Sequence, residues 1–410
     1  MTMISASAAA SATAPLPLGS NPGPSEAIFT AAGLLLPHLE RGERVDAAAL
    51  RAVMESAFGA SDATGAWDWK TAYDACEAAT VLFLRKYGKA LFRKAGTPAA
   101  RLSALTKIAT LLPTHTRRSA ESQNFQQFST PIPLGLVAAH AAAITPTDRV
   151  LEPSAGTGLL AILAEIAGGA LVLNELAETR AGLLDVLFPA IPVTRSDAAQ
   201  IDDHLDPAVT PSVVLMNPPF SAMANVEGRV ADTTWRHVAS ALARLAPGGR
   251  LVTITSASFA PDNQVWRDAF VRLQDRGRVV FSAAIDGSVY AKHGTTFPTR
   301  LTVIDKRPAN DPTVFPIAPG VAPDPATLLA WLAEHLPERF AVDPSVMVPA
   351  APAAAPRSVR GYINRAAKAT PATTPMAEPQ GLTLAYDTMD GLAGEGGRLS
   401  DGIYEEYGLQ

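Results

Sequence analysis

A doubly wound, mostly parallel α/β sheet with a set of helices ahead of it is the fold this sequence predicts, on three observations. From Ile144 onward, short β-rich apolar runs alternate with Ala/Leu-rich helical patterns, the signature of parallel strands joined by crossover helices. The first of those runs leads into Glu152-Pro153-Ser154-Ala155-Gly156-Thr157-Gly158, a glycine turn. The fourth, Val213-Val214-Leu215-Met216, is followed at once by Asn217-Pro218-Pro219-Phe220. Two prolines straight after a buried strand end the ladder and fix a rigid loop at its carboxyl end, the edge at which open α/β sheets bind ligands.

Composition bounds the rest. The chain has 410 residues, 48% hydrophobic and 18% charged, enough for a large core and for one big or two modest domains. A single cysteine, Cys76, excludes an internal disulfide and fits a reducing cytoplasm, the expected location. No run of about 18 apolar residues is present, so no membrane span is expected. The net charge of -5 gives no global attraction to nucleic acid. The block from Leu84 to Arg118 differs: it holds nine basic residues and no Asp or Glu. Such a block can track phosphates, which makes Arg85, Lys86, Lys89, Arg93, Lys94, Arg117 and Arg118 candidate nucleic-acid contacts; it is also the composition of a solvated helix face.

In chain order, residues 1–24 are Ala/Ser/Pro-rich, lack the charged and apolar regions of a signal peptide, and read as a disordered leader. Residues 25–122 read as a helical domain. Ile28, Ala31, Leu35 and Leu36 recur at helix spacing, then Leu50, Val53, Met54 and Phe58; Ala66–Tyr87 is a stronger case, and Thr97-Pro98 places a cap and a first-turn proline before Leu102, Leu105 and Ile108. The main domain spans 123–307. Its strands are expected at 149–152, 171–174, 193–195, 213–216, 251–255, 279–284 and 300–305, and its helices at 134–143, 159–167, 177–188, 234–245 and 264–275. That gives seven strands, the last two joined by a loop containing His293 and forming an antiparallel edge hairpin. One helix follows in a short extension over 308–342, then an Ala/Pro-rich linker over 343–380 and a tail over 381–410.

Gly156-Thr157-Gly158-Leu159-Leu160-Ala161 fits a G-x-G-x-x-A dinucleotide fingerprint, with an acidic residue, Glu175, at the tip of the next strand. Glycines let the backbone approach a ligand, and a carboxylate there accepts hydrogen bonds from ribose hydroxyls. Glu152-Pro153 separates the ligand classes. An extra carboxylate would repel a pyrophosphate, but it suits a ligand that carries an ammonium and a sulfonium. Ser196-Asp197 follows the third strand; Asp197 can accept from an adenine amine or cap the turn after it.

Together these stretches resemble the S-adenosylmethionine-dependent class I (Rossmann-like) methyltransferases, and more closely the adenine-N6 DNA methyltransferases of γ-type motif order, over roughly residues 123 to 307. Gln123-Asn124-Phe125-Gln126-Gln127-Phe128-Ser129-Thr130-Pro131 resembles that family's phenylalanine-threonine-proline motif, with one extra serine. The resemblance implies S-adenosylmethionine as cofactor, held by Phe128, Thr130, Pro131, Glu152, Pro153, Ala155, Gly156, Gly158, Glu175, Asp197 and Asn217. Thr130-Pro131 reads equally as a cap and first turn leading into residues 134–143.

Asn217, Pro218, Pro219 and Phe220 are the implied catalytic residues. A ring-attached amine is a poor nucleophile, because its lone pair is delocalised. Two acceptors, the Asn217 side-chain oxygen and the Pro218 carbonyl, can hold both amine hydrogens and direct the lone pair, while Phe220 offers a face to a base drawn out of the duplex. This chemistry needs no metal, and no metal-ligand spacing stands out among the seven histidines. The same tetrapeptide occurs in enzymes acting on RNA bases or on a protein glutamine, and these remain alternatives to DNA as partner. Leu245-Ala246-Pro247-Gly248-Gly249-Arg250-Leu251-Val252 matches the family's helix-turn-strand after the catalytic loop.

The chain departs from sequence-reading DNA methyltransferases in lacking a sizeable recognition region after the core. The whole arrangement is similar to the methylase portion of strawberry-notch-type methylase/helicase proteins, with residues 397–405 like a lead-in to a helicase module. That comparison leaves a third reading open, a non-catalytic module of a larger helicase assembly.

Overall fold

Eight strands form one sheet in the order β3-β2-β1-β4-β5-β7-β6-β8. In the computed structural model the described residues are 23–115, 129–219 and 231–342 (backbone alone at 231–232), with two backbone stretches, 393–394 and 398–399. Phe128, Phe220, Arg117, Arg118, the leader, the 343–380 linker and nearly all of the tail lie outside them. Residues 354–410 make a separate unit, in which Ala393–Gly394 pairs antiparallel with Arg398–Leu399.

The strands are β1 (Arg149–Glu152), β2 (Ala170–Asn174), β3 (Val193–Thr194), β4 (Val213–Met216), β5 (Arg250–Ser256), β6 (Arg278–Ile285), β7 (Thr299–Asp305) and β8 (Val321–Ala322). β1, β2, β3, β4 and β5 pair in parallel, and the switch point lies at β1, flanked by β2 on one side and β4 on the other. β4 is buried along its whole length, and its side chains alternate between two apolar layers. Val213 and Leu215 face one cluster with the helices ahead of the sheet, whereas Val214 and Met216 face the other with Val238, Leu242 and Phe270. Strands covered on both faces read as continuous apolar runs, which is why this stretch shows no polar alternation.

The fold is Rossmann-like and doubly wound, as the sequence predicts, with two differences at the far edge. β7 inserts between β5 and β6, antiparallel to both, from Arg250↔Asp305 to Ser256↔Thr299 on one side and from Arg278↔Asp305 to Ile285↔Thr299 on the other. The two-residue β8 then pairs in parallel with β6, so the expected hairpin is not the edge and the sheet has eight strands, not seven. Two residues are too short to show a period in sequence. The loop expected between β6 and β7 carries a 3-10 helix, Gly287–His293, capped by Asp286.

Among the described residues, the helices ahead of the sheet begin with α1 (Pro24–Arg41), α2 (Ala47–Phe58), α3 (Trp69–Ala95) and α4 (Pro98–Leu111). Asp46, Asp68 and Thr97 cap α2, α3 and α4 by accepting a backbone N–H three residues on. α3 runs on past Tyr87 to Ala95, where Gly96 (φ 70) stops it. After α4 come α5 (Ile132–Ala142), α6 (Leu159–Ala167), α7 (Glu178–Leu187), α8 (Ile201–His204), α9 (Ala231–Arg244), α10 (Arg267–Gln274) and α11 (Pro325–His335). α3 lies against α6 and α7. Gly88 admits Ile166 where a Cβ would stand 2.4 Å from its terminal methyl. A fully buried Arg180–Asp74 pair (2.7 Å) ties α7 to α3. The front helices and the sheet thus share one continuous apolar core.

Candidate functional site

The carboxyl tips of β1, β2 and β3 are held together by one side chain that sequence reasoning did not single out. Asn174, fully buried at the end of β2, donates to the Pro153 carbonyl (2.8 Å) and the Ser196 carbonyl (2.9 Å). Its Oδ1 accepts from the Ser196 N–H (2.9 Å) and the Thr194 hydroxyl (2.8 Å). The Ala155 N–H donates to the Asn174 carbonyl (2.9 Å), which places the start of the glycine turn against β2. Only its place beside Glu175 marks Asn174 in sequence.

The turn itself needs its glycines. Gly156 (φ 57) and Gly158 (φ 85) both lie in the left-handed region, and Gly158 caps α6. A Cβ at Gly158 would meet Phe188 at 2.6 Å, so this glycine serves packing; a Cβ at Gly156 would enter open space. Glu175 braces the turn from β2: one carboxylate oxygen accepts from the Gly156 N–H (2.8 Å), the other from the Ala177 N–H (2.9 Å). It is buried and close to the backbone, with lone pairs left over for a ligand hydroxyl.

Glu152 stands at the tip of β1, buried to 3% exposure. Its Oε2 has no hydrogen-bond partner among the described residues. Burial, reinforced by the like charge of Glu175, pushes its carboxyl well above the usual carboxylate range. A strained acid of this kind at the carboxyl edge of a parallel sheet makes Glu152 a candidate site residue. A cationic ligand group would relieve it, and a phosphate would aggravate it. Asp197, by contrast, is exposed and accepts from the Ala199 N–H (2.9 Å), so in the structure it caps the short 3-10 turn Ala198–Gln200.

β4 lies beside β1 in the register Leu151↔Val214, so Asn217 and Glu152 emerge at neighbouring strand ends, with about 4.8 Å between strands. Asn217 Nδ2 donates to the Thr130 hydroxyl (2.9 Å). This bond ties the Asn217 side chain to the segment ahead of α5. It also explains Thr130, which does not cap α5: that helix starts at Ile132 after Pro131, with no side-chain cap. Thr130, Pro131 and Pro218 are buried, and Pro219 is half-buried. Tyr290, on the Gly287–His293 turn, is fully buried; burial raises its hydroxyl pKa and the Asn217 side chain lowers it. Sequence reasoning missed Tyr290, which is brought in by a turn seventy-odd residues downstream.

The described contact candidates of the basic block, Arg85 to Lys94, lie away from this site, and Arg117 and Arg118 fall outside the described residues. Arg85 bonds Glu165 (3.2 Å) and the Leu187 carbonyl and lies over the Phe188 ring, tying α3 to α6 and α7. Lys86 pairs with Glu40 (2.7 Å). Lys89, Arg93 and Lys94 are exposed, with no ion pair among the described residues, but they sit beyond Gly88, which meets the end of α6 at the opposite edge of the sheet. Glu77, which bonds the glycine turn, is sixteen residues before Arg93, about 24 Å along α3.

No protein-family model matches the chain, and no curated protein matches its sequence. The strawberry-notch resemblance is therefore unsupported by either. Among solved structures, the chain is similar to a putative class I S-adenosylmethionine-dependent methyltransferase from Listeria monocytogenes (13% identity, 76% of this chain and 97% of that one, TM-score 0.42). It is also similar to TrmN from Thermus thermophilus (21% identity, 46% of this chain and 52% of that one, TM-score 0.34). A third is the methyltransferase subunit of a type I restriction-modification system from Streptococcus thermophilus (13% identity, 70% and 78%, TM-score 0.36). The chain thus spans about half the length of TrmN. At these identities the likeness is one of fold.

Proposed function

We propose that this chain is an S-adenosylmethionine-dependent N-methyltransferase acting on the exocyclic amine (N6) of adenine in DNA. One arrangement carries the reading: a buried carboxylate with an unsatisfied oxygen, Glu152, stands at one strand end, and a proline-fixed amide, Asn217, at the next. The orphaned Glu152 oxygen and the like-charged Glu175 fit a ligand bearing ammonium and sulfonium groups, and Gly156 leaves room for it. When bound, S-adenosylmethionine supplies an electrophilic methyl group.

The chain's own residues do the rest. Asn217, oriented by Thr130, and the Pro218 carbonyl accept the two amine hydrogens and turn the nitrogen lone pair out of the ring. The loop cannot relax, because Pro218 and Pro219 fix its backbone. Phe220, outside the described residues, is proposed to stack on the base. Lys89, Arg93 and Lys94, exposed on α3 and without an ion pair among the described residues, are proposed as phosphate contacts only for DNA that runs beyond the site.

The test is tritium transfer from labelled S-adenosylmethionine to duplex DNA, single-stranded DNA, RNA and cell protein in parallel. Label recovered as N6-methyladenine is the expected result. Label in RNA or in protein glutamine would move the acceptor to those classes. Asn217→Ala is expected to abolish transfer while cofactor binding stays measurable, because its main role is toward the acceptor; near-normal turnover would overturn the role of Asn217.

A further inference from the structure

Behind the glycine turn, three potential metal ligands from three separate segments meet in the interior. Glu77 of α3, His115 beyond α4 and His293 at the end of the Gly287–His293 turn each offer a ligand atom, and these atoms lie within 4.8 Å of one another. The sequence gives no hint of such a cluster, because no two of these residues stand at ligand spacing.

The surroundings are those of a built site. One Glu77 oxygen accepts from the Thr157 hydroxyl (2.7 Å), Ser129 also interacts with this carboxylate, and Oε1 stands 3.8 Å from His293 Nδ1. That histidine nitrogen is buried and has no hydrogen-bond partner among the described residues. The His115 ring is stacked on Tyr73 (3.9 Å between centroids), and its backbone N–H donates to the Lys292 carbonyl (2.8 Å), which locks it beside His293. A cavity of about 40 Å³ is lined by Glu77, His115 and His293 together with Cys76 and Thr80. That is room for an ion and a water. The nearby cations are committed elsewhere: Arg180 to Asp74, and Lys292 to the Ala109 and Leu112 carbonyls.

We propose that Glu77, His115 and His293 form a divalent transition-metal site, of the zinc type, with water as fourth ligand. Two imidazoles and one carboxylate are a set that zinc accepts. Tetrahedral ligands at zinc distances stand about 3.3 Å apart, so the widest pair closes by about 1.5 Å on binding. Thr157 holds the outer oxygen of Glu77, as second-shell donors do around bound metals. The ion clips α3 and the glycine turn, through Thr157, to the Gly287–His293 turn that carries Tyr290, with water in its open fourth position.

The experiment uses the full chain, stripped with chelator and dialysed against zinc or cobalt. One ion per chain is expected to remain, with cobalt d–d absorption of nitrogen/oxygen type and no thiolate band. His293→Gln and His115→Gln are expected to lose the ion, Thr157→Val to bind it about 10- to 100-fold more weakly, and His38→Gln to bind as wild type. The wild-type unfolding midpoint is expected to rise with zinc and fall back with chelator. A folded wild-type chain that retains no ion overturns the proposal whatever the variants do. So does a stoichiometric ion that survives His293→Gln.

Discussion

Two alanine substitutions two residues apart are expected to behave in opposite ways, and the difference follows from what each glycine faces. Gly156 and Gly158 both have positive φ, so a side chain costs about 1–2 kcal/mol at either position. At Gly158 the added Cβ meets Phe188 Cε2 at 2.6 Å and Leu184 Cδ2 at 3.1 Å, and both side chains are buried. Overpacking of this kind adds about 1–3 kcal/mol, so Gly158→Ala should cost about 2–5 kcal/mol. Gly156 has no atom within 4 Å of its virtual Cβ, so Gly156→Ala should cost only the backbone amount, about 1–2 kcal/mol. Its methyl instead occupies the space assigned to the cofactor. S-adenosylmethionine affinity should therefore fall about tenfold or more in Gly156→Ala, since ~1.4 kcal/mol of crowding is a factor of ten. Denaturant unfolding at constant m-value and calorimetric titration of the cofactor read the two effects separately. Equal stability losses, or wild-type cofactor affinity in Gly156→Ala, would refute the division of labour.

Three further outcomes are expected. Arg180→Met leaves Asp74 charged and buried, and should cost about 3–5 kcal/mol by denaturant unfolding. The double variant Asp74→Leu/Arg180→Met should recover much of that, and a double variant as unstable as the sum of the singles would count against the pair. Asp148 is pushed up by burial, but hydrogen bonds from Arg339, Ser212 and the Thr145 backbone outweigh that and hold it at about 2, below its ordinary 3.8. A depressed acid stabilises above its unfolded pKa and loses that contribution as pH falls. Unfolding midpoints should therefore drop between about pH 4 and pH 2, and drop less in Asp148→Asn; identical slopes would contradict this. Asn174→Ala strips partners from Pro153, Thr194 and Ser196 and should cost about 3 kcal/mol, with weaker cofactor binding, whereas a loss under about 0.5 kcal/mol would mean the strand tips hold without it.

Much of this protein was legible in the order of its residues. The β1, β4 and α6 boundaries follow from local signals: apolar runs too short for helices, glycines where φ must be positive, and prolines where the ladder must stop. Glu152, Glu175 and Asn217 stand at strand tips because strand position follows from that local pattern and parallel strands present their carboxyl ends on one edge. Three matters belonged to the tertiary structure alone. β7 lies between β5 and β6, since strand pairing is decided by packing across the sheet and not by proximity in the chain. Arg85 serves as a packing strut between Glu165 and Phe188, which lie eighty and more residues away in the chain. The meeting of Glu77, His115 and His293 has no sequence signature at all. Local conformational preference reaches a few residues along the chain, whereas burial and charge are settled only when distant segments close on one another.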